Sequence, residues 1–321
     1  MKAWVQDRYG GVDTLHLRDT PLPSFRDDHE VLVKVFATSV NPADRHGLKP
    51  PLFLRRGQGL LRPKDGRRGL DFVGRVEVVG SAVTGLKVGD EVFGVATGAF
   101  AEYAVADQSQ VAARPRRLTV EQCAAVPIAA VTALQALRDH AKVRPGARVL
   151  VNGASGGVGT VAVQLAKAMG ADVTAVCSPP NVEQAKSLGA DRVFDYSRED
   201  FTKSGLRWDV VFDTQINHPF SAYRRTLNPN GVLLMVGAGP GSAGKLLPKL
   251  LKTMLVTRLM GPPTKFFIAR VKTAELDALR ELLDSQNVTP VIDRQFPLAQ
   301  LPDALRYLIE GHARGKIVLT V

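Results

Sequence analysis

The chain has 321 residues, 45% of them hydrophobic and 23% charged, with a formal charge of +11 at pH 7. At about 150 residues per domain it holds roughly two domains, each able to bury its own core, which excludes a disordered chain and a small stapled scaffold. No apolar run approaches the roughly 18 residues of a membrane span, and the two cysteines, Cys123 and Cys177, are too few for a disulfide framework or a four-cysteine zinc lobe; both are expected to be ordinary buried thiols.

The first residues, Met1 to Asp7, meet charge before an apolar stretch can develop, so the expected setting is cytoplasmic, with no secretory leader. Up to about residue 110 the chain reads as short strands (2–6, 31–40, 73–79, 91–95, 99–106) between Gly, Pro and Asp turns, which predicts a small β-barrel. The texture changes near Thr119, a helix cap followed by Glu121 and a helical stretch over 124–137. Strands are then predicted at 148–151, 172–176, 192–194, 209–213, 231–236 and about 265–269, with helices at 157–168 and 182–188. Six strands joined by crossovers imply a doubly wound parallel sheet. The last 45 residues read as a helix (273–285), a strand pair, a helix (301–310) and an alternating strand from Lys316 that belongs with the β-rich half. The fold class is therefore α/β, with a barrel domain expected from 1–123 and 264–321 and a parallel-sheet domain from 124–263.

The strongest chemical signal is the strand Val149-Leu150-Val151 running into Asn152-Gly153-Ala154-Ser155-Gly156-Gly157-Val158-Gly159 and then a helix of small apolar residues. Glycine permits the tight turn and lets a pyrophosphate approach the backbone, while the helix N-terminus offers free N–H groups, so this segment predicts dinucleotide binding. An NAD-type fold places an acid about 20 residues on to hold the ribose hydroxyls. Here Cys177-Ser178-Pro179-Pro180-Asn181 stands in that place without one. Ser178, Asn181 and Tyr196 can donate to a 2′-phosphate, which favours NADPH and leaves NADH as the alternative.

The whole chain resembles the medium-chain dehydrogenase/reductase superfamily, specifically its zinc-free quinone oxidoreductase (zeta-crystallin-like) branch. The resemblance is carried by Ser39-Val40-Asn41-Pro42-Ala43-Asp44, Gly69-Leu70-Asp71-Phe72-Val73-Gly74, Val88-Gly89-Asp90-Glu91, Gly98-Ala99-Phe100, the 127–137 stretch, the glycine turn, Ser187-Leu188-Gly189-Ala190-Asp191 and Gly315-Lys316-Ile317-Val318. It implies a GroES-like β-barrel domain, a Rossmann domain with a doubly wound six-stranded parallel sheet, an active site in the cleft, and a homodimer joined by the outer strands of the Rossmann sheets. It further implies that Asn41, Asp44 and His46 serve catalysis, with His46 where related reductases carry tyrosine, and that Thr132, the Gly237-Ala238-Gly239 loop and Lys316 lie at the cofactor. The structural alternatives are a helix hydroxyl for Thr132, a turn held by Asn41 and Asp44, and a solvated His46. The zinc-dependent alcohol dehydrogenases of the superfamily hold their metal with a Cys and a His where this chain has Ser39 and Leu70. Without that Lewis acid the expected substrates are already electrophilic, namely quinones and α,β-unsaturated carbonyls taking hydride from NADPH. The alternatives are alcohol or carbonyl chemistry and a non-catalytic NADPH- or nucleic-acid-binding role.

The positive charge is regional. Residues 45–70 hold eight Lys or Arg against Asp65, and 214–274 hold nine against no acid. Within the second stretch, 245–260 has the pattern of a basic amphipathic helix, read first as a helix packed on its own domain or dimer partner and second as a lid or membrane contact. The first stretch borders the cleft in relatives and suits steering of an anionic cofactor or substrate, with a mobile solvated loop as the alternative. Nucleic acid ranks below catalysis, because the basic residues lack interleaved aromatics and no recognised module is present.

Overall fold

The structure, a computed structural model, describes residues 1–321 except 53–54, 56–58, 237–263, 286–287 and 312. Seven of its strands precede residue 120: β1 (Lys2–Gln6), β2 (Leu15–Asp19), β3 (Glu30–Val40), β4 (Asp71–Val79), β5 (Glu91–Val95), β6 (Tyr103–Asp107) and β7 (Val111–Ala113). Six follow as β8 (Arg148–Asn152), β9 (Asp172–Cys177), β10 (Arg192–Asp195), β11 (Trp208–Asp213), β12 (Leu227–Met235) and β13 (Thr264–Phe266), and two close the chain, β14 (Ile292–Pro297) and β15 (Lys316–Thr320). The described helices are α1 (Pro42–Leu48), α2 (Val120–Ala124), α3 (Pro127–Leu134), α4 (Gly157–Ala168), α5 (Val182–Ser187), α6 (Phe220–Thr226), α7 (Thr273–Asp284) and α8 (Leu301–Glu310).

The chain divides into two compact units. The first comprises Met1–Val131, Val271–Gln286 and Pro290–Val321, the second Thr132–Arg270 and Asn287–Thr289. The boundaries expected at 123/124 and 263/264 therefore move to 131/132 and 270/271. The later one moves because β13 pairs in parallel with β12, making it the sixth strand of the second unit's sheet rather than the start of the barrel's tail.

In the first unit the strands run β14-β15-β3-β4-β5-β7, with β6 also on β3. The pairing is antiparallel apart from β14 on β15. β3 is long because its alternating Val31, Val33 and Val35 bury one face. Its far end carries two neighbours at once: Ser39 stands opposite Asp71 of β4, and Val40 opposite Ile317 of β15. A second apolar cluster under α8 joins Trp4, Leu48, Leu301, Leu305 and Leu319, and the Trp4 indole donates to the Leu298 carbonyl at 2.8 Å. The tail thus completes the unit that the N-terminus begins.

Among the described residues of the second unit all pairing is parallel, in the order β10-β9-β8-β11-β12-β13. The order reverses between β8 and β11, and in open parallel sheets ligands bind beyond the strand ends at such a reversal. Trp208, Phe201, Tyr223 and Leu233 fill the core on one face.

The helix expected over 124–137 is broken. Pro127 has no N–H to continue α2, so α3 starts afresh there, and its end widens into a π-helical segment, Gln135–Ala141. The turn expected at Asn41 and Asp44 is the start of α1: Asn41 caps it, Pro42 opens it, and the Asp44 carboxylate accepts the Asn41 N–H at 2.7 Å. The strand expected over 99–106 covers only Tyr103–Asp107. Of the strand pair expected before residue 301, β14 is the strand found among the described residues.

Candidate active site

At the sheet reversal, β8 delivers the glycine turn. Gly153 has φ +85, and a Cβ there would collide with Thr214 and Gln215; a Cβ on Gly159 would collide with the Gly153 carbonyl. These two glycines are required by packing of the turn on itself and on the loop after β11. Gly156 differs. Among the described residues a Cβ built there meets only the Gly153 carbonyl, at 3.7 Å, so none of them fills the space in front of it. Gly156 caps α4 with no side-chain hydrogen bond, leaving the first-turn N–H groups directed at that space. Ser155, Gly156, Gly157 and Val158 are partly exposed, whereas Ala154 is buried. An open cradle of backbone donors at a helix N-terminus fits a pyrophosphate.

Asn152 is placed otherwise than expected. It is buried, and its amide donates to Asp213 Oδ1 at 2.9 Å and to Asn217 Oδ1 at 3.0 Å. Its donors tie β8 to the loop after β11 and are not presented to a ligand. Asp213, which sequence reasoning missed, organises that loop: the same oxygen accepts the Gln215 and Ile216 N–H groups. Ile216, buried, is held at φ +51, a left-handed conformation costly for a β-branched residue, so this loop is both anchored and strained. The signal available was an acid closing an otherwise apolar strand.

On the outer side, Asp195 of β10 stands opposite Cys177 of β9, and the Tyr196 N–H donates to the Cys177 carbonyl at 3.2 Å. Cys177 is buried, and burial pushes its thiol up to about 11, so the side chain is a neutral thiol at pH 7. Asn181 donates to Ser178 Oγ at 2.7 Å, which leaves the serine proton to be given elsewhere. Tyr196 is largely exposed. The Asp195 carboxylate is turned onto the Ser197 N–H and hydroxyl. Thr132 lies partly buried on α3. Gly237, Ala238, Gly239 and the 245–260 stretch lie outside the described residues.

The first unit holds a buried polar cluster built by the convergence of β3, β4 and β15. Asp71, fully buried, accepts Ser39 Oγ at 2.8 Å, Asn41 Nδ2 at 2.9 Å and Lys316 Nζ at 3.1 Å on one oxygen, and the Ile128 N–H at 3.0 Å on the other. Lys316 also donates to Asn41 Oδ1 at 2.6 Å. The expected cofactor contact Lys316 is thus a buried lysine engaged with Asn41 and Asp71, and Asn41 spends its amide on the same cluster. Asp71 was missed although it sits, as an acid among Leu70, Phe72 and Val73, in one of the segments carrying the family resemblance.

Asp44 is buried beside this cluster. Burial pushes its carboxyl up to about 7, aided by the Asp71 charge and opposed by the Asn41 N–H and by Lys316. Lys316 and Asp71 already balance each other, so an ionised Asp44 is uncompensated. The native state therefore holds a proton that the unfolded chain, with its aspartate near 3.8, has released. Stability contributed by protonated Asp44 is full below about pH 4 and is lost as pH rises towards 7. Asp44→Asn, which keeps the acceptor for Asn41, is expected to remove this loss, flattening the melting temperature between pH 4 and 7; an unchanged slope would reject the assignment. His46, on the same helix, is half-buried, and burial together with Arg45 lowers its pKa, which favours the neutral ring.

Residues 27–116 match the family described as Alcohol dehydrogenase GroES-like domain, and 188–319 the family described as Zinc-binding dehydrogenase. The chain is 35% identical over 341 residues to a chloroplast envelope quinone oxidoreductase homolog of Arabidopsis thaliana, covering 99% of this chain and 98% of that one. It is 32% identical over 338 residues to the NADPH-dependent alkenal/one oxidoreductase of the chloroplast of the same plant, covering 99% and 79%. The solved quinone oxidoreductase of Coxiella burnetii superposes with a TM-score of 0.85 at 30% identity, covering 100% of this chain and 99% of that one. Among the described residues no group of three or more His, Cys, Asp or Glu side chains is placed to hold the zinc named in one of these descriptions. A serine hydroxyl stands in for the thiolate, and the carboxylate it faces is already neutralised by an ammonium group.

Proposed function

Because the chain belongs to the medium-chain dehydrogenase/reductase superfamily, in its quinone oxidoreductase branch, and is an oxidoreductase, we propose that it reduces quinones or α,β-unsaturated carbonyls with NADPH and without zinc. The observation carrying this reading is the open cradle at Gly156, set where the parallel sheet reverses. The first-turn N–H groups of α4 hold the pyrophosphate, and bound NADPH supplies the hydride. Ser178 and Tyr196 take the 2′-phosphate, for which the absence of an acid over 177–181 removes the repulsion. The Lys316–Asp71 pair has the role of a fixed internal support for α1, and His46 on that helix donates a hydrogen bond to the substrate oxygen as charge develops there. A neutral imidazole retains a ring N–H for this purpose.

An electrophilic acceptor needs no Lewis acid, which separates this reading from alcohol dehydrogenation. Chelator-treated protein, offered an ortho-quinone and a conjugated enone separately, is expected to oxidise NADPH with at least one of them and to prefer NADPH over NADH by about tenfold or more. Activity lost on chelation and restored by zinc would overturn the zinc-independent reading, and no nucleotide binding would overturn the whole. The homodimer implied by the resemblance is carried as part of the same proposal, supported by the outer edge of β13, and is checked by sedimentation.

A further inference from the structure

Within the basic segment after α1, the described stretch 59–68 is fastened at both ends. Tyr9 Oη donates to the Gly59 carbonyl at 2.8 Å, the Gln6 N–H to the Gly66 carbonyl at 2.8 Å, and the Arg68 guanidinium to Gln6 Oε1 at 2.9 and 2.7 Å. Gly59, at φ +104, folds its turn tightly against Arg62 and Lys64. The result is a tongue on the edge of β1, and at its tip Leu60 and Leu61 are 57% and 86% exposed. With Val5 and Pro63 they border a concavity of about 820 Å³.

The charge around this tip is unpaired in one direction. Asp65 is the only acid over 45–70 and is taken by Arg26 at 2.6 Å and Arg67 at 2.9 Å. Those hydrogen bonds outweigh burial and hold its carboxyl down at about 2. Arg62 and Lys64 are exposed and have no acidic partner among the described residues. Two adjacent exposed leucines followed at once by free cations are unsuited to water and suited to a surface that is apolar within and anionic at its face.

We propose that residues 59–64 form a docking tip for an anionic lipid bilayer, with Leu60 and Leu61 entering the interfacial region and Arg62 and Lys64 meeting lipid phosphates. The occupant is a bilayer because the two leucines offer far less area than the roughly 800 Å² per partner of a standard protein interface, whereas interfacial binding needs only a few apolar side chains together with charge attraction. The positive excess of 45–70 supplies that attraction and favours anionic over neutral lipid. This inference does not depend on the hydride chemistry, although a lipophilic acceptor would be met at such a surface.

The test is co-sedimentation of the full chain with vesicles of phosphatidylcholine alone or with about 30% phosphatidylglycerol. Wild-type protein is expected to pellet with the anionic vesicles and not with the neutral ones. Leu60→Ser/Leu61→Ser is expected to weaken binding by at least about tenfold and Arg62→Ser/Lys64→Ser by about 30-fold, since each interfacial cation contributes about a factor of five. All four side chains are exposed, so both variants should melt with the wild type, which separates lost docking from lost folding. Wild-type protein that stays in the supernatant, or that pellets equally with both vesicles, overturns the proposal. So does a leucine variant that binds as the wild type does, because some other basic segment would then be responsible.

Discussion

Lys316→Met is expected to cost about 3–5 kcal/mol of unfolding free energy. The lysine is 6% exposed and Asp71 not at all, and removing the ammonium leaves a buried carboxylate with hydrogen bonds but no countercharge. The contribution of the pair itself is a smaller quantity. Joining two buried charges mainly offsets the cost of taking both out of water, so Lys316→Met/Asp71→Asn, which removes both charges at once, should recover a substantial part of the loss. Denaturant unfolding of the two variants measures this directly. A single variant within about 1 kcal/mol of wild type would mean that the carboxylate takes up a proton at little cost, and the cluster would then not be an ionic support. Because the lysine reaches Asn41 and Asp71 across 275 and 245 residues of sequence, the result also reports whether the tail is integral to the unit.

Gly156→Asp is expected to act with opposite signs on stability and on cofactor binding. The residue is the N-cap of α4 with extended backbone (φ −79, ψ 171), a conformation any residue adopts, and its Cβ meets nothing closer than 3.7 Å. Aspartate is among the best N-caps, and the fold should be unchanged or stabilised by about 0.5–1 kcal/mol. Its carboxylate, however, takes the same N–H groups that a pyrophosphate needs and repels it, so NADPH affinity should fall roughly 100-fold, about 2.7 kcal/mol. Nucleotide binding followed by fluorescence, alongside thermal unfolding, checks both signs. Wild-type affinity in this variant would place the pyrophosphate elsewhere. Gly159→Ala gives the contrast, since there the Cβ strikes the Gly153 carbonyl and the turn itself must move.

The glycine turn was legible in the sequence because its chemistry is local: one strand, one turn and one helix start, all within about a dozen residues, and each glycine does its work through its own backbone. The alternation of strand and helix after residue 140, the β-rich first third and the return of the last strand to it were legible for the same reason, since periodicity records which face of each element is buried. The break at Pro127 was open to the same kind of reading, because a proline in a helical stretch marks a fresh start.

The polar clusters were not legible in this way. Asn41, Asp44 and Lys316 stood out as members of segments that carry the family resemblance, but their sequence positions give no indication that a single carboxylate, Asp71, collects Lys316, Asn41, Ser39 and the start of α3. That arrangement depends on the register of β3 against both β4 and β15, a pairing between distant segments that the sequence does not spell out. Asn152 and Asp213 behave alike, meeting only because β8 and β11 are neighbours in the sheet. The sequence by itself determined the class of fold, the nucleotide turn and the chemistry expected of the family. Tertiary structure alone decided which polar side chains are left for a ligand and which are consumed in holding the protein together, because a buried polar group must find its partners wherever the strand pairing brings them.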